Sequence, residues 1–176
     1  MREMDTLIER AMAGDADAFV DLMESQMTNL YKAARSLLSS EDDVADAISD
    51  TILTCWEKLY QLREKRYFRT WMTRILMNQC MDIHRKRQRV VYLDEMPDAA
   101  FHDPGYENRE WLEALQSLSQ PYRIVVILYY IEGFKVSEVA GILDIPEATV
   151  RTRLARARKK LAEEYEYGGE KRRRQI

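Results

Sequence analysis

The chain has 176 residues, 46% of them apolar and 32% charged, with a net charge of −3. That length allows one domain or two small ones, and that balance suits a chain folded in water. No apolar run approaches the roughly 20 residues that cross a bilayer, and the first residues lack a signal peptide's apolar core, so direct membrane insertion is excluded as an expectation.

The small net charge hides an asymmetry. Residues 1–57 hold thirteen acids against four bases, whereas residues 147–160 hold six bases against Glu147. Opposite charge at the two ends implies different partners for different faces. Only six Gly and four Pro interrupt the chain, which favours helix. An all-α fold is expected.

Asp5 is placed to cap a short helix ending near Gly14, and Asp15 to cap a longer one. Phe19, Leu22, Met23, Leu30, Ala33, Ala34 and Leu37 keep one face of that second helix. Ser39 and Ser40 break the pattern. Ser40 with Glu41, Asp42 and Asp43 then predicts a capped, acid-rich first turn, suited to the positive end of a helix dipole. Val44, Ala47, Ile48, Thr51, Ile52, Cys55, Trp56 and Leu59 extend it as a third amphipathic helix.

Lys65–Arg89 is the fourth. Phe68, Trp71, Met72, Ile75, Leu76 and Ile83 form its apolar stripe. Eight Lys and Arg face a single acid, Asp82, so this segment carries +7. It reads either as a core helix with a solvated basic end or as a helix presenting cations and aromatics to nucleic acid. Cys55 and Cys80 stand alone within helical patterns and read as small core residues, not as a disulfide or zinc site.

After Arg89 the pattern is lost. VVYLDEMPDAAFHDPGYE contains Pro97, Pro104 and five acids, the composition of a flexible acidic linker. Helices are expected again from about Tyr106, with Trp111, Leu112, Leu115 and Leu118 on one side. Ser119 can cap the next, with Pro121 in its first turn. YRIVVILYYIE is apolar nearly all round, a core helix stopped by Gly133. The expected organisation is therefore two small helical domains, 1–89 and 106–166, joined by a linker at 90–105, with a basic tail at 167–176.

The strongest local pattern runs from Val136 to Leu161. A short helix packs through Val139, Ala140 and Leu143, Asp144-Ile145 makes a tight turn, and a basic helix from Pro146 is anchored by Val150 and Leu154. This is a helix-turn-helix. Its anchors leave Glu147, Thr149, Arg151, Thr152, Ala155 and Arg156 outward, where Arg can read guanine edges in a major groove. Arg153, Arg158, Lys159 and Lys160 are left to meet phosphates. His84 and His102 have no metal-ligand companions and no glycine-rich phosphate loop is present, so catalysis, metals, cofactors and small-molecule substrates are not expected.

Three motifs in order resemble the extracytoplasmic-function (group IV) sigma factors of bacterial RNA polymerase. DDVADAISDTILTCW is similar to the family's acidic second helix, FRTWMTRILMNQCMDIHRK to its promoter-melting helix, and IPEATVRTRLARARKKL to its recognition helix. The resemblance spans nearly all of residues 15–165. It implies that Asp43, Asp46, Asp50 and Trp56 meet the clamp helices of the largest subunit of core RNA polymerase. It further implies that Arg63, Lys65, Arg66, Tyr67, Arg74, Asn78, Arg85 and Lys86 hold the minus-ten element of promoter DNA, with a flipped base near the loop Arg63–Tyr67 and Asn78. The second domain is then expected to read the upstream, minus-thirty-five element and to meet the flap of the second-largest subunit. A cytoplasmic location and an anti-sigma factor, often membrane-held, complete what the resemblance implies.

The chain departs from the family pattern at three places. Ser49-Asp50 replaces a usual Gln-Glu. Lys135 stands where a capping Ser or Thr is usual, a loss of about 1 kcal/mol unless Ser137 starts the helix. Asp144 replaces the turn Gly. Two competing functions use the same residues differently. A one-component transcription regulator accounts for the helix-turn-helix but not for Phe68–Arg87, and a protein-binding helical adaptor accounts for neither basic segment.

Overall fold

The structure is a computed structural model that describes residues 2–91, 114–115 and 117–173, with side chains described for 3–87, 114–115 and 117–163. Every regular element among the described residues is helical. The chain divides, Gly141–Leu143 apart, into two compact units, one before the linker and one after it. The linker and the residues around Trp111 lie outside the described residues, apart from Val90 and Val91, which close a helix.

The first unit contains α1 (Arg2–Met12), α2 (Ala16–Glu24), α3 (Met27–Arg35), α4 (Glu41–Lys58) and α5 (Phe68–Val91). Five helices replace the four expected, for a local reason. The predicted second helix breaks at Ser25-Gln26, where the Ser25 hydroxyl donates to Leu22 O at 2.7 Å and competes with the helical ladder. Gln26 is buried there, its amide donating to Ser25 Oγ at 3.0 Å. Asp5 does not cap α1, which begins at Arg2 and carries Glu3 and Asp5 in its first turn. Asp15 does cap α2, its carboxylate accepting from Ala18 N at 3.0 Å. That bond and the Arg10 guanidinium hold the Asp15 carboxyl below the usual carboxylate range.

α4 and α5 lie against each other and form the centre of this unit. Val44, Ala47, Ile48 and Cys55 from α4 meet a core that includes Phe68, Met72, Leu76, Met77 and Cys80 of α5. The buried side of α5 is therefore rotated from the expected stripe. Met77 and Cys80 are in it, while Trp71, Ile75 and Ile83 are only half-buried. Burial pushes the Cys55 and Cys80 thiols up to about 12.

The entry to α4 is held by a buried cation. Arg35 Nη1 donates to Leu38 O at 3.0 Å and Ser39 O at 2.8 Å, and its Nε lies 2.9 Å from Glu41 Oε1. These bonds satisfy carbonyls beyond the end of α3 and offset the cost of burying the guanidinium. Ser40 has the extended backbone of an N-cap but makes no capping hydrogen bond. The three acids after it stand in that role by charge alone.

The second unit contains α6 (Gln120–Val126), continued by one π turn (Ile127–Ile131), then α7 (Val136–Leu143) and α8 (Glu147–Arg173). Ile124 to Leu128 are buried, as the apolar run predicts, but Tyr129 and Tyr130 are exposed and pack edge to face. Ser119 precedes α6 without a side-chain cap bond. Gly133 stops the helix at φ 72°, a left-handed conformation that costs a Cβ-bearing residue about 1–2 kcal/mol. α7 starts at Val136, so Ser137 does not delay it. The missing Ser or Thr cap is half replaced, because the Glu138 carboxylate accepts from Lys135 N at 2.8 Å. Asp144 adopts φ 53° and turns the chain into α8. Val139, Ala140, Val150 and Leu154 are buried as expected; at the end of α7 Ile142 is buried and Leu143 only half so. α8 continues through Arg173, into the stretch 167–176 expected as a basic tail.

Candidate nucleic-acid interface

In the first unit, α5 turns Arg74, Asn78 and Arg85 outward on one face, opposite its buried side. Spacings of four and seven residues put them in one row, and Trp71 lies beside it, half-buried. Phe68, fully buried, anchors the start of the helix and packs against Trp71 with ring centroids 6.1 Å apart. Arg85 is joined to Asp82 at 3.1 Å, which moderates its charge. Lys86 is exposed at the edge of the row.

The loop before α5 carries the remaining residues expected at the minus-ten element. Tyr67 is 47% exposed, with the Arg66 guanidinium 4.9 Å from its ring centroid. Arg66 also pairs with Glu64 at 3.0 Å, and Lys65 pairs with Glu9 of α1. Arg63 is exposed. A flat aromatic, an exposed amide and guanidiniums within one loop-and-helix surface can stack on and hydrogen-bond to unpaired bases.

The acidic helix α4 shows a different surface. Asp46 and Asp50 are exposed, whereas Asp43 is mostly shielded and ion-paired within the unit. Arg87 of α5 grips it through Nη2–Oδ1 at 2.8 Å and Nε–Oδ2 at 2.5 Å. Trp56 is 43% exposed and meets Phe19 edge to face, with centroids 4.9 Å apart. Leu53 and Tyr60 are more exposed still and share its side of the chain. Neither residue stands out in the sequence as a site candidate. Their spacing of three and four from Trp56, off the core stripe of α4, was the available signal.

In the second unit, α8 places Glu147, Arg151, Thr152, Ala155, Arg156 and Lys159 outward, with Thr149 and Arg153 half-buried at the edge. The small Ala155 between two arginines leaves room for close approach to a groove floor. Arg151 is held by Glu147 at 2.6 Å, one helical turn back. Arg156 Nη1 lies 3.5 Å from the Tyr122 hydroxyl of α6. Between α6 and α8 runs a groove of about 530 Å³, lined by Ser119, Pro121, Tyr122, Ala148, Thr149, Thr152, Arg153 and Arg156. Two cations and several hydroxyls line it, and no acid does. Lys160 donates to Ser117 O at 2.6 Å, so it braces the helix end as well as adding charge.

Among the described residues, no group of His, Cys, Asp and Glu could hold a metal ion, and no helix is long and apolar enough to cross a membrane.

Comparison with known proteins agrees with this geometry. Residues 22–90 match the family model of sigma-70 region 2, and residues 108–161 match that of sigma-70 region 4. The chain is 32% identical over 170 residues to RNA polymerase sigma factor NccH of Alcaligenes xylosoxydans xylosoxydans, covering 89% of this chain and 91% of NccH. It is 26% identical over 172 residues to the ECF sigma factor SigW of Bacillus subtilis, covering 88% and 92%. Among solved structures, CnrH in complex with the cytosolic domain of CnrY superposes with a TM-score of 0.71 at 27% identity, covering 94% of this chain and 98% of that one. The sigma factor RpoE of Bartonella quintana, in complex with the anti-sigma factor NepR, also gives 0.71 at 28% identity, covering 81% and 95%. A region 2 match followed by a region 4 match does not favour the alternative of a one-component regulator with a helical sensing or dimerisation domain joined to the helix-turn-helix. The chain belongs to the extracytoplasmic-function family of RNA polymerase sigma factors.

Proposed function

We propose that this sigma factor divides initiation among three surfaces. The exposed side of α4, centred on Leu53, Trp56, Asp46 and Asp50, docks on the clamp helices of core RNA polymerase. The outward row of α5, with Arg63–Tyr67, captures and holds open the minus-ten element. The outer face of α8 reads the upstream element. The single observation that carries this reading is the outward row Arg74, Asn78 and Arg85, set on a helix whose opposite side is core. A helix that served only packing would not need an amide and two guanidiniums aligned in solvent.

The chemistry at each surface is distinct. Leu53 and Trp56 supply apolar area, and the acids around them steer a basic partner. Asn78 can donate to and accept from a base edge, while Arg74 and Arg85 meet phosphates on either side. In α8, Arg151 and Arg156 read base edges, and Lys159 adds attraction that is blind to sequence. The groove between α6 and α8 takes a backbone phosphate beside the reading face.

CnrH with CnrY and RpoE with NepR are both sigma-factor complexes with a protein partner. They support the further reading that an anti-sigma factor restrains this chain in the cytoplasm, whether soluble or held at the membrane.

Reconstitution with core polymerase and a promoter fork tests the assignment. Wild-type protein gives polymerase-dependent initiation. Asn78→Ala retains holoenzyme assembly and loses opening, which permanganate reactivity of unpaired thymines measures. Duplex binding without any polymerase-dependent start refutes the whole reading, and loss of assembly in Asn78→Ala refutes the role of Asn78.

A further inference from the structure

The loop before α5 is not held by α5 alone. Two short 3₁₀ turns, Leu59–Gln61 and Lys65–Tyr67, bracket it, and α1 packs against both. Ile8 and Ala11 of α1 are buried, as are Leu59 and Leu62. On the wet edge of this contact the Glu9 carboxylate pairs with Lys65 Nζ, across 56 residues of sequence. Their side chains are 59% and 39% exposed, so the pair lies on the outer surface of the loop. α1 lies before residues 22–90, the stretch matched to sigma-70 region 2.

The loop's charge is thereby reduced from within. Of its three cations, Arg66 is matched by Glu64 and Lys65 by Glu9. A cation left free in a loop attracts any phosphate, whatever the base beside it. On a single strand each such contact adds about 0.7 to the slope of log affinity against log salt. A loop that attracts every sequence equally discriminates less, because the base-dependent contacts become a smaller share of the binding.

We propose that Glu9 of α1 is a positioning and charge-setting residue for base recognition at the minus-ten element. Through Lys65 it seats the second 3₁₀ turn on α1 and fixes where Tyr67 enters α5. It also removes one sequence-blind phosphate contact, so that discrimination falls to Tyr67 and Asn78. The inference rests on the assignment of this loop to the minus-ten strand.

The test uses holoenzyme assembled from the full chain and core polymerase. A pool of randomised single-stranded DNA is enriched on wild-type holoenzyme, and the enriched oligonucleotide is compared with oligo(dT) across a salt series. Glu9→Gln should bind oligo(dT) several-fold more tightly at low salt, with a salt slope steeper by about 0.7. Its preference for the enriched sequence should fall several-fold. The charge-swapped pair Glu9→Lys with Lys65→Glu should recover that preference, which loss of fold or simple charge addition would not do. Melting curves accompany each variant. An unchanged slope and preference in Glu9→Gln, or no recovery in the swap, overturns the role of Glu9 alone. If wild-type holoenzyme enriches no sequence, the assignment of the loop to the minus-ten strand falls, and the role of Glu9 with it.

Discussion

Arg87 holds the Asp43 carboxylate through one edge of its guanidinium, Nη2 to Oδ1 at 2.8 Å and Nε to Oδ2 at 2.5 Å. The pair ties the first turn of α4 to the far part of α5, across 44 residues. Asp43 is 13% exposed and Arg87 58%, so the carboxylate is sheltered while the guanidinium keeps much of its hydration. Arg87→Ala should destabilise the first unit by about 1 kcal/mol, because it strands a shielded charge that remains partly screened by water. Urea unfolding of Arg87→Ala, Asp43→Asn and the double variant checks this. Additive losses would show that the two groups do not interact.

The same pair distinguishes Asp43, tied within the unit, from the exposed Asp46 and Asp50. With Asp43 occupied, polymerase affinity should depend on the exposed apolar residues and their neighbours. Leu53→Asp should weaken core polymerase binding at least tenfold, about 1.4 kcal/mol or more. Asp43→Asn should weaken it less than threefold. Competition against a labelled sigma factor for core enzyme gives both numbers, and the reverse order would return Asp43 to the interface.

On α8 the division between base reading and phosphate contact predicts two patterns of loss. Arg151→Ala and Arg156→Ala should each cost about 1–3 kcal/mol at particular upstream base pairs and relax preference there. Lys159→Ala should weaken all sequences alike and reduce the salt slope by about 0.9 on duplex DNA. Binding across a library of upstream elements separates the two. Equal, sequence-blind losses in all three variants would refute the division.

The turn between α7 and α8 carries a removable strain. Asp144 holds φ 53°, a left-handed conformation that Asp tolerates and Gly adopts without penalty. Asp144→Gly should therefore stabilise the second unit by about 0.5–1 kcal/mol, less the extra entropy that Gly loses on folding. Promoter preference should not change, since Asp144 lies outside the outward face of α8. A lower melting temperature in this variant would mean that the Asp144 side chain supports the turn in a way its backbone does not reveal.

Cys55 and Cys80 report on the α4–α5 core. Burial raises both thiols to about 12 from an ordinary 9.0, so the fold favours their neutral form. The associated stability is complete below about pH 9 and is lost as the pH rises from 9 toward 12. A thiol reagent at pH 8 should label neither cysteine in the folded protein, and both in step with unfolding. Rapid labelling under native conditions would place one of them at the surface.

The sequence by itself determined the all-α class, the helix-turn-helix and the basic character of α5, because these rest on local periodicity and composition. Asp15 as a cap, Asp144 as a left-handed turn and Val150 with Leu154 as anchors were legible for the same reason: each acts within a few residues of itself. Tertiary structure decided what periodicity could not. The break at Ser25-Gln26 is the exception, a local effect that periodicity does not register, because a hydroxyl competes for its own helix's carbonyl. The rotation of α5 that buries Met77 and Cys80 follows from packing against α4. The pairings of Arg87 with Asp43 and of Lys65 with Glu9 join residues far apart in sequence, and only the packed helices bring those charges together. Those two contacts pair acids and cations of a charged surface within the molecule, which no local pattern of the sequence specifies.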